Sequence, residues 1–400
     1  MIEAKLTGLN SPVSLLIDAL ISAGIPFALF KEPAQTRNEL QLMLGRISCA
    51  PLTRANVNHS SAPCGFILAP FKLDEDALCL ESSEYFCGSA TELLSALTAA
   101  HGELNAAVKS VQQKQELQTK SYANAADASL PAQWAQCEAL NIVVRERYHQ
   151  AFATFKEGLS SGRFVKLVLS HAFYQPMTKS AGQIFASLLA LKAAVNSFCY
   201  LAFFGAGHDL HLAATPEVLL KIKGRSLKTM SLAGTVQSAQ ALKPGFAWDD
   251  KNVREQALVT DYIREALLPF AESIKASEPF TRTAGPVSHL CTELEAHLKP
   301  EADAAQLLKA LHPTPAVCGL PKAEAFDFIL QEEHSERGYY AGPVGFYQEG
   351  ALELFVNLRS LSIRDGMIKL QAGGGLLAQS EEAAEWQETL HKLKTLQEAL

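Results

Sequence analysis

Four hundred residues, 48% hydrophobic and 19% charged, can bury a large core and allow two or three domains or one sheet-rich unit. A formal net charge of -7 with no lysine- or arginine-dense stretch excludes the electrostatic footprint of a nucleic-acid binder and favours a small-molecule partner. The start, MIEAKLTGLNSPVSLLIDAL, lacks the features of a secretory signal, and no apolar run approaches the roughly 18 residues of a membrane span, so a cytoplasmic protein with no membrane partner is expected.

In chain order, Ser11 and Pro12 suit an N-cap and first helical position, followed by an apolar helix, a stop at Gly24 and a strand in IPFALF. CGFILAPF and ALCLES read as strands across a charged turn. The stretch 104–140, rich in Gln, Lys, Ala and Ser, reads as a solvated helix running into a loop, or as a weakly ordered linker. Residues 126–140 are taken as a linker between an N-terminal part, 1–125, and a functional region, 141–400. There RERYHQAFATFKEGLSSG has helical spacing, while FVKLVLSHAFY, SFCYLAFFGAG and DLHLAATPEVLLKIKG read as strands. A helix in DKNVREQALVTDYIREALLPF, strands in ELFVNLRSLSIR and MIKLQAGGG, and a helix from Ser380 follow. Strand pairs interspersed with helices, without strict alternation, predict an α+β fold with antiparallel or mixed sheets. The eight cysteines form no CxxC pair and read as buried reduced thiols.

Two of these helices are acidic. In the last, Ser380 is expected to cap, Trp386, Leu390, Leu393 and Leu396 form a buried stripe, and Glu385, Glu388 and Lys392 share an adjoining face. That face alone is as well explained by solvent and an ordinary Glu388–Lys392 pair. In the earlier helix Asp249 or Asp250 can cap, Leu258, Tyr262 and Ala266 point inward, and Glu255 is left free. Magnesium takes one or two carboxylates together with water and an oxyanion, which two glutamates from two facing helices would satisfy.

Between and around these helices lie KLVLS at 166–170, ATPEVLL at 214–220, LAGT at 232–235, LHPTPAVCGLPKAEA at 311–325, ERGYYAGPVGF at 336–346, FVNLRS at 355–360 and LQAGGGLLAQSEEAAEWQETLHKL at 370–393. In this order the set closely resembles the chorismate-utilising enzymes, over about 165–393. The resemblance implies two face-packed sheets with helices outside, chorismate in a cleft between them, and Mg²⁺ on the substrate carboxylate. Glu255 and Glu388 match the family's metal-ligating glutamates, and Glu385 an acidic neighbour acting through water. Two positions depart from the pattern: Asn252 replaces an acid, and Gln256 replaces a common histidine.

Members of the family differ in what attacks the ring. Lys166 matches the lysine that activates water, where ammonia-using relatives have glutamine, and Glu217 matches the acid that protonates the departing hydroxyl. Such a lysine acts as a base near neutral pH only with a lowered pKa, and such an acid needs a raised one. Arg359 and Tyr340 match groups that hold the enolpyruvyl carboxylate, Gly373 and Lys392 match contacts to the same anion, Gly234 and Thr235 match the substrate floor, and His289 matches a histidine beside the ring. LHPTPAVCG resembles the isochorismate-forming members, and VQSAQ after LAGT lacks the RPRG-like run of the anthranilate and aminodeoxychorismate branches. The expectation is an Mg²⁺-dependent isomerase, a hydroxymutase making isochorismate. LHPTPAVCG favours isochorismate over salicylate formation, Asn252 and the short N-terminal region favour the menaquinone branch over a siderophore branch, and a monomer is expected.

Overall fold

In the strand Phe198–Phe203, Phe198, Tyr200 and Ala202 join one apolar cluster while Cys199 and Leu201 join another. Both faces are buried, so the two-residue period of the pleat puts one side of the sheet between two layers and the other beneath helices. The computed structural model describes residues 11–33, 39–52, 64–121, 130–193, 195–284 and 287–400. Among these, no helix is long and apolar enough to cross a membrane.

The strand pairings are antiparallel and link into one ribbon. It runs from Gly319–Leu320 through Lys166–Pro176, Met367–Leu376, Ser360–Arg364, Leu210–Thr215, Phe198–Phe203 and Phe27–Lys31 to Leu40–Pro51. It continues through Asp76–Gly88, Cys64–Leu68, Pro343–Gln348, Ala351–Val356, Val218–Lys223 and Ser226–Gln237 to Val287–Leu298, which also pairs with Ala271–Ala276 and Phe280–Ala284. The ribbon doubles back, so its halves meet face to face: Phe198 stacks on Phe355 at 4.2 Å and Phe30 on Phe346 at 4.8 Å. A register shift between Leu44 and Gly45 lies where it turns, and a Cβ at Gly45 would run into the Glu81 carbonyl. This is the expected α+β architecture, with the two layers continuous at the turn.

Helices cover the outside. Pro12–Ser22, Ala90–Ala100 and Ala181–Leu191 share one apolar cluster with the far end of Glu382–Gln397. Leu130–Ser160, Asp250–Leu267, Ala304–Leu311 and Lys322–Glu332 share another. Ser11 caps the first helix as expected, accepting from Ser14 N–H at 3.2 Å.

Several local expectations change. Residues 126–129 lie outside the described residues, but 130–140, expected as linker, are the opening turns of Leu130–Ser160. Strands on both sides of that stretch pair directly, as Phe27–Lys31 does with Phe198–Phe203. The inward stripe of Asp250–Leu267 is Gln256, Val259, Ile263 and Leu267, one step round from the expected one, because Val259, Ile263 and Leu267 offer the sheet an equally spaced apolar row. Ser380 does not cap the last helix: its hydroxyl donates to Glu385 Oε1 at 2.6 Å, and Glu381 holds the cap position. All eight cysteines are free, but Cys49 and Cys87 are exposed rather than buried.

Candidate active site

The ends of the ribbon's two halves open a cleft of about 220 Å³ between Lys166–Pro176 with Met367–Leu376 on one side and Ser226–Gln237 with Val287–Leu298 on the other. Two breaks in alternating sequence feed it. DLHLAATPEVLLKIKG splits at Pro216 and Glu217, and ELFVNLRSLSIR splits at 357–359, where Arg359 takes φ 48. The first break is pinned by Thr215 Oγ1 donating to Val356 O at 2.6 Å, the second by Asn357 Nδ2 donating to Tyr339 O at 2.9 Å. Each break sets a charged side chain, Glu217 or Arg359, in the cleft wall.

Glu217 is buried, and burial pushes its carboxyl up to about 8 against the opposing pull of Lys166, Lys392 and Arg359. Arg359 is also buried, and burial lowers its guanidinium to about 10. Arg359 Nη2 meets His289 Nε2 at 2.8 Å, while His289 Nδ1 lies 3.1 Å from Gly234 O and 3.3 Å from Thr235 Oγ1. A carbonyl only accepts and a guanidinium only donates, so the ring carries its proton on Nδ1. Burial first, then Arg359 and Lys392, holds this histidine well below its usual pKa and hence neutral.

On the opposite wall Tyr340 is buried with its hydroxyl beside Gly373, where an added Cβ would stand 3.1 Å from it. Lys392 Nζ donates to Gly373 O at 2.9 Å and lies 2.9 Å from Glu388 Oε1. Lys166 is fully buried, its Nζ 2.8 Å from Glu255 Oε1 but without hydrogen-bond alignment to it. Gly375 makes room for that pair: a Cβ there would come within 2.7 Å of Glu255 Oε1 and 3.0 Å of Lys166 Cε.

Ten of the twelve residues expected at the site line the cleft: Glu217, Gly234, Thr235, Glu255, His289, Tyr340, Arg359, Gly373, Glu388 and Lys392. Lys166 stands at its wall through Glu255. Glu385 lies behind it, accepting from Ser380 and 3.5 Å from Lys251 Nζ, with burial raising its carboxyl.

The donor set fits one hard cation. Glu255 and Glu388 both line the cleft, and Glu388 leaves 32% of its side chain open. Burial pushes Glu388 up, but Lys392, Lys251 and Lys166 together hold it below the usual carboxylate value, so it is ionised. Among the described residues no group of three or more metal-ligating side chains occurs, so a cation would draw its other ligands from water and substrate, the habit of Mg²⁺.

The family described as chorismate binding enzyme matches residues 31–398. This chain belongs to that family. It is 34% identical over 265 residues, 64% of this chain and 55% of the relative, to the salicylate biosynthesis isochorismate synthase of Pseudomonas aeruginosa. It is 28% identical over 264 residues to anthranilate synthase component 1 of Streptomyces coelicolor, covering 62% of this chain and 50% of that one. The chain thus aligns with about half the length of these curated relatives. In fold it is similar to the solved structure described as a 2,3-dihydroxybenzoate-specific isochorismate synthase, DhbC, from Bacillus anthracis, with TM-score 0.72 and 19% identity, covering 94% of this chain and 96% of that one.

Some side chains in and around the cleft carry no sequence signal as site residues. Asp249, Lys251 and Gln371 also line the cleft. Glu333 and Arg337 form a buried two-pronged pair at 2.7 Å on each arm; Glu333 accepts from Ser170 N–H at 2.6 Å, and Arg337 donates to the carbonyls of Val168 at 2.8 Å and Val317 at 2.6 Å. This clamp ties the Lys166 strand to the LHPTPAVCG segment. No helical spacing links the two, since Glu333 is the C-cap of Lys322–Glu332 and Arg337 lies in the irregular segment beyond it. Gly375 was readable as the residue two beyond Gly373 on the same strand face.

Proposed function

We propose that this chain is an Mg²⁺-dependent isochorismate synthase, exchanging the ring hydroxyl of chorismate from carbon 4 to carbon 2. The observation that carries it is a buried carboxyl in the cleft that keeps its proton near neutral pH, with a buried lysine at the cleft wall beside Glu255. Lys166 is the base that takes a proton from water as its oxygen bonds to carbon 2. The two ring double bonds shift together, the carbon 4–oxygen bond breaks, and Glu217 gives its proton to the departing hydroxyl, which leaves as water. Base and acid exchange roles in reverse, so the reaction runs in both directions.

Arg359 offers a two-pronged donor to a carboxylate, with His289 fixing one arm of it. Lys392 adds a second cation, and Tyr340 a hydroxyl beside Gly373. Glu255 and Glu388, with Glu385 behind them, would hold Mg²⁺, which supplies positive charge for the ring carboxylate when bound. Lys166, where a glutamine would suit ammonia, favours water as nucleophile over the anthranilate reaction. The menaquinone branch rests on Asn252; the name of the P. aeruginosa relative favours salicylate biosynthesis as the second reading.

Incubation with chorismate and Mg²⁺, followed by chromatography, tests the reaction. Isochorismate alone is expected under either pathway, and salicylate with pyruvate formed by this chain would contradict the proposed reaction.

A further inference from the structure

Asn252 stands where the family pattern carries an acid, and its amide is engaged at both ends. Oδ1 accepts from Thr235 N–H at 3.2 Å, while Nδ2 lies 2.9 and 2.8 Å from the two oxygens of Asp249. Asp249 in turn caps the helix by accepting from Asn252 N–H at 2.8 Å. On the strand side Gly234 has φ +71, and a Cβ there would stand 2.9 Å from Asn252 Oδ1. The turn therefore approaches the amide at a distance that suits glycine alone.

We propose that Asn252 is a positioning residue for the cleft floor, fastening Gly234 and Thr235 to the start of the helix Asp250–Leu267 and standing outside the oxygen shell of the metal. The inference rests on reading Gly234 and Thr235 as the surface beneath chorismate. Both ends of the amide are needed. An aspartate would still accept from Thr235, but it would set a second carboxylate against Asp249 with no hydrogen between them. The placement travels onward, because Gly234 O and Thr235 Oγ1 both meet His289 Nδ1, and His289 Nε2 accepts from Arg359. A displaced floor thus reaches the guanidinium expected to hold the substrate. Asn252 itself lines the cleft, whereas Gln256 faces the sheet, its Nε2 2.9 Å from Ser231 Oγ and 2.6 Å from Thr292 Oγ1.

The test uses the full chain, Asn252→Ala, Asn252→Asp, and the double variant Asp249→Asn with Asn252→Asp, which exchanges amide and carboxylate. Each is titrated with chorismate in the presence of Mg²⁺ by thermal shift, and with Mg²⁺ alone by calorimetry. Both single variants are expected to bind chorismate about tenfold more weakly, the scale of one lost hydrogen bond. The double variant should recover most of that loss, a rescue that no general loosening of the helix would give. Mg²⁺ affinity should stay within about twofold throughout, against the roughly 10–100-fold typical of a group supporting the ligands. Unchanged chorismate binding in Asn252→Asp, a tenfold change in Mg²⁺ affinity, or a double variant no better than Asn252→Asp would each overturn the proposal. Since binding is read and not product, a chain that binds chorismate but makes something other than isochorismate defeats the proposed reaction and leaves this inference standing.

Discussion

Lys166 Nζ lies 2.8 Å from Glu255 Oε1, so one carboxylate serves both as neighbour to the candidate base and as candidate metal ligand. Gly375 is what lets the two side chains meet. Lys166→Gln keeps a polar side chain there but removes the proton acceptor. Turnover should fall by about 10²–10⁴-fold, the range of general acid–base contributions, while chorismate still binds. Steady-state kinetics with a parallel binding titration reads both quantities, and full activity in this variant would remove Lys166 from the mechanism.

Glu217 gives a pH prediction with a definite sign. Its folded-state value is about 8, against an ordinary 4.5, because burial disfavours the charge. Activity that needs the protonated acid should decline as pH rises through about 8. Stability follows the same direction: between 4.5 and about 8 the unfolded chain ionises this group while the folded chain keeps its proton, so folding weakens as pH rises across that window. Glu217→Gln should therefore be inactive yet melt higher than the parent, by a margin that widens from pH 5 to about pH 8. A margin that shrinks with pH would contradict the assignment.

The Glu333–Arg337 clamp is a structural prediction. Both side chains are buried, and between them they hold Ser170, Val168 and Val317. Arg337→Met leaves Glu333 buried without its partner, and removing one member of such a pair costs about 3–5 kcal/mol. Urea unfolding should show that loss; a change under about 1 kcal/mol would mean that the carboxyl finds another partner.

Chelation separates metal from fold. Glu255 and Glu388 each have a lysine neighbour within the protein, at 2.8 and 2.9 Å, so the fold does not depend on a cation to balance them. EDTA should abolish turnover and leave far-UV circular dichroism unchanged, with activity returning on added Mg²⁺. Glu388→Gln should raise the Mg²⁺ concentration needed for half-maximal activity, and an unaltered requirement would exclude it as a ligand.

The sequence carried the site better than the scaffold. Lys166, Glu217 and Arg359 sit in short motifs whose order survives whatever the chain does between them. The two breaks that deliver Glu217 and Arg359 were hidden, because hydrophobic alternation continues on both sides of Pro216 and of 357–359. Strand order was equally hidden: Lys166–Pro176 pairs with Met367–Leu376, nearly two hundred residues on, and nothing local specifies such a partner. In Asp250–Leu267 two apolar rows compete, and the sheet selects the row through Gln256, whose amide finds hydroxyl partners there. Ser380 looked like a cap by residue type, but the buried carboxylate of Glu385 takes its hydroxyl.

The most direct test of the reaction is proton NMR of chorismate incubated with the protein and Mg²⁺, with and without an ammonium salt. The account predicts isochorismate approaching a fixed ratio with chorismate, unchanged by ammonium and absent without Mg²⁺. Anthranilate appearing with ammonium, or chorismate left intact under all conditions, would contradict it.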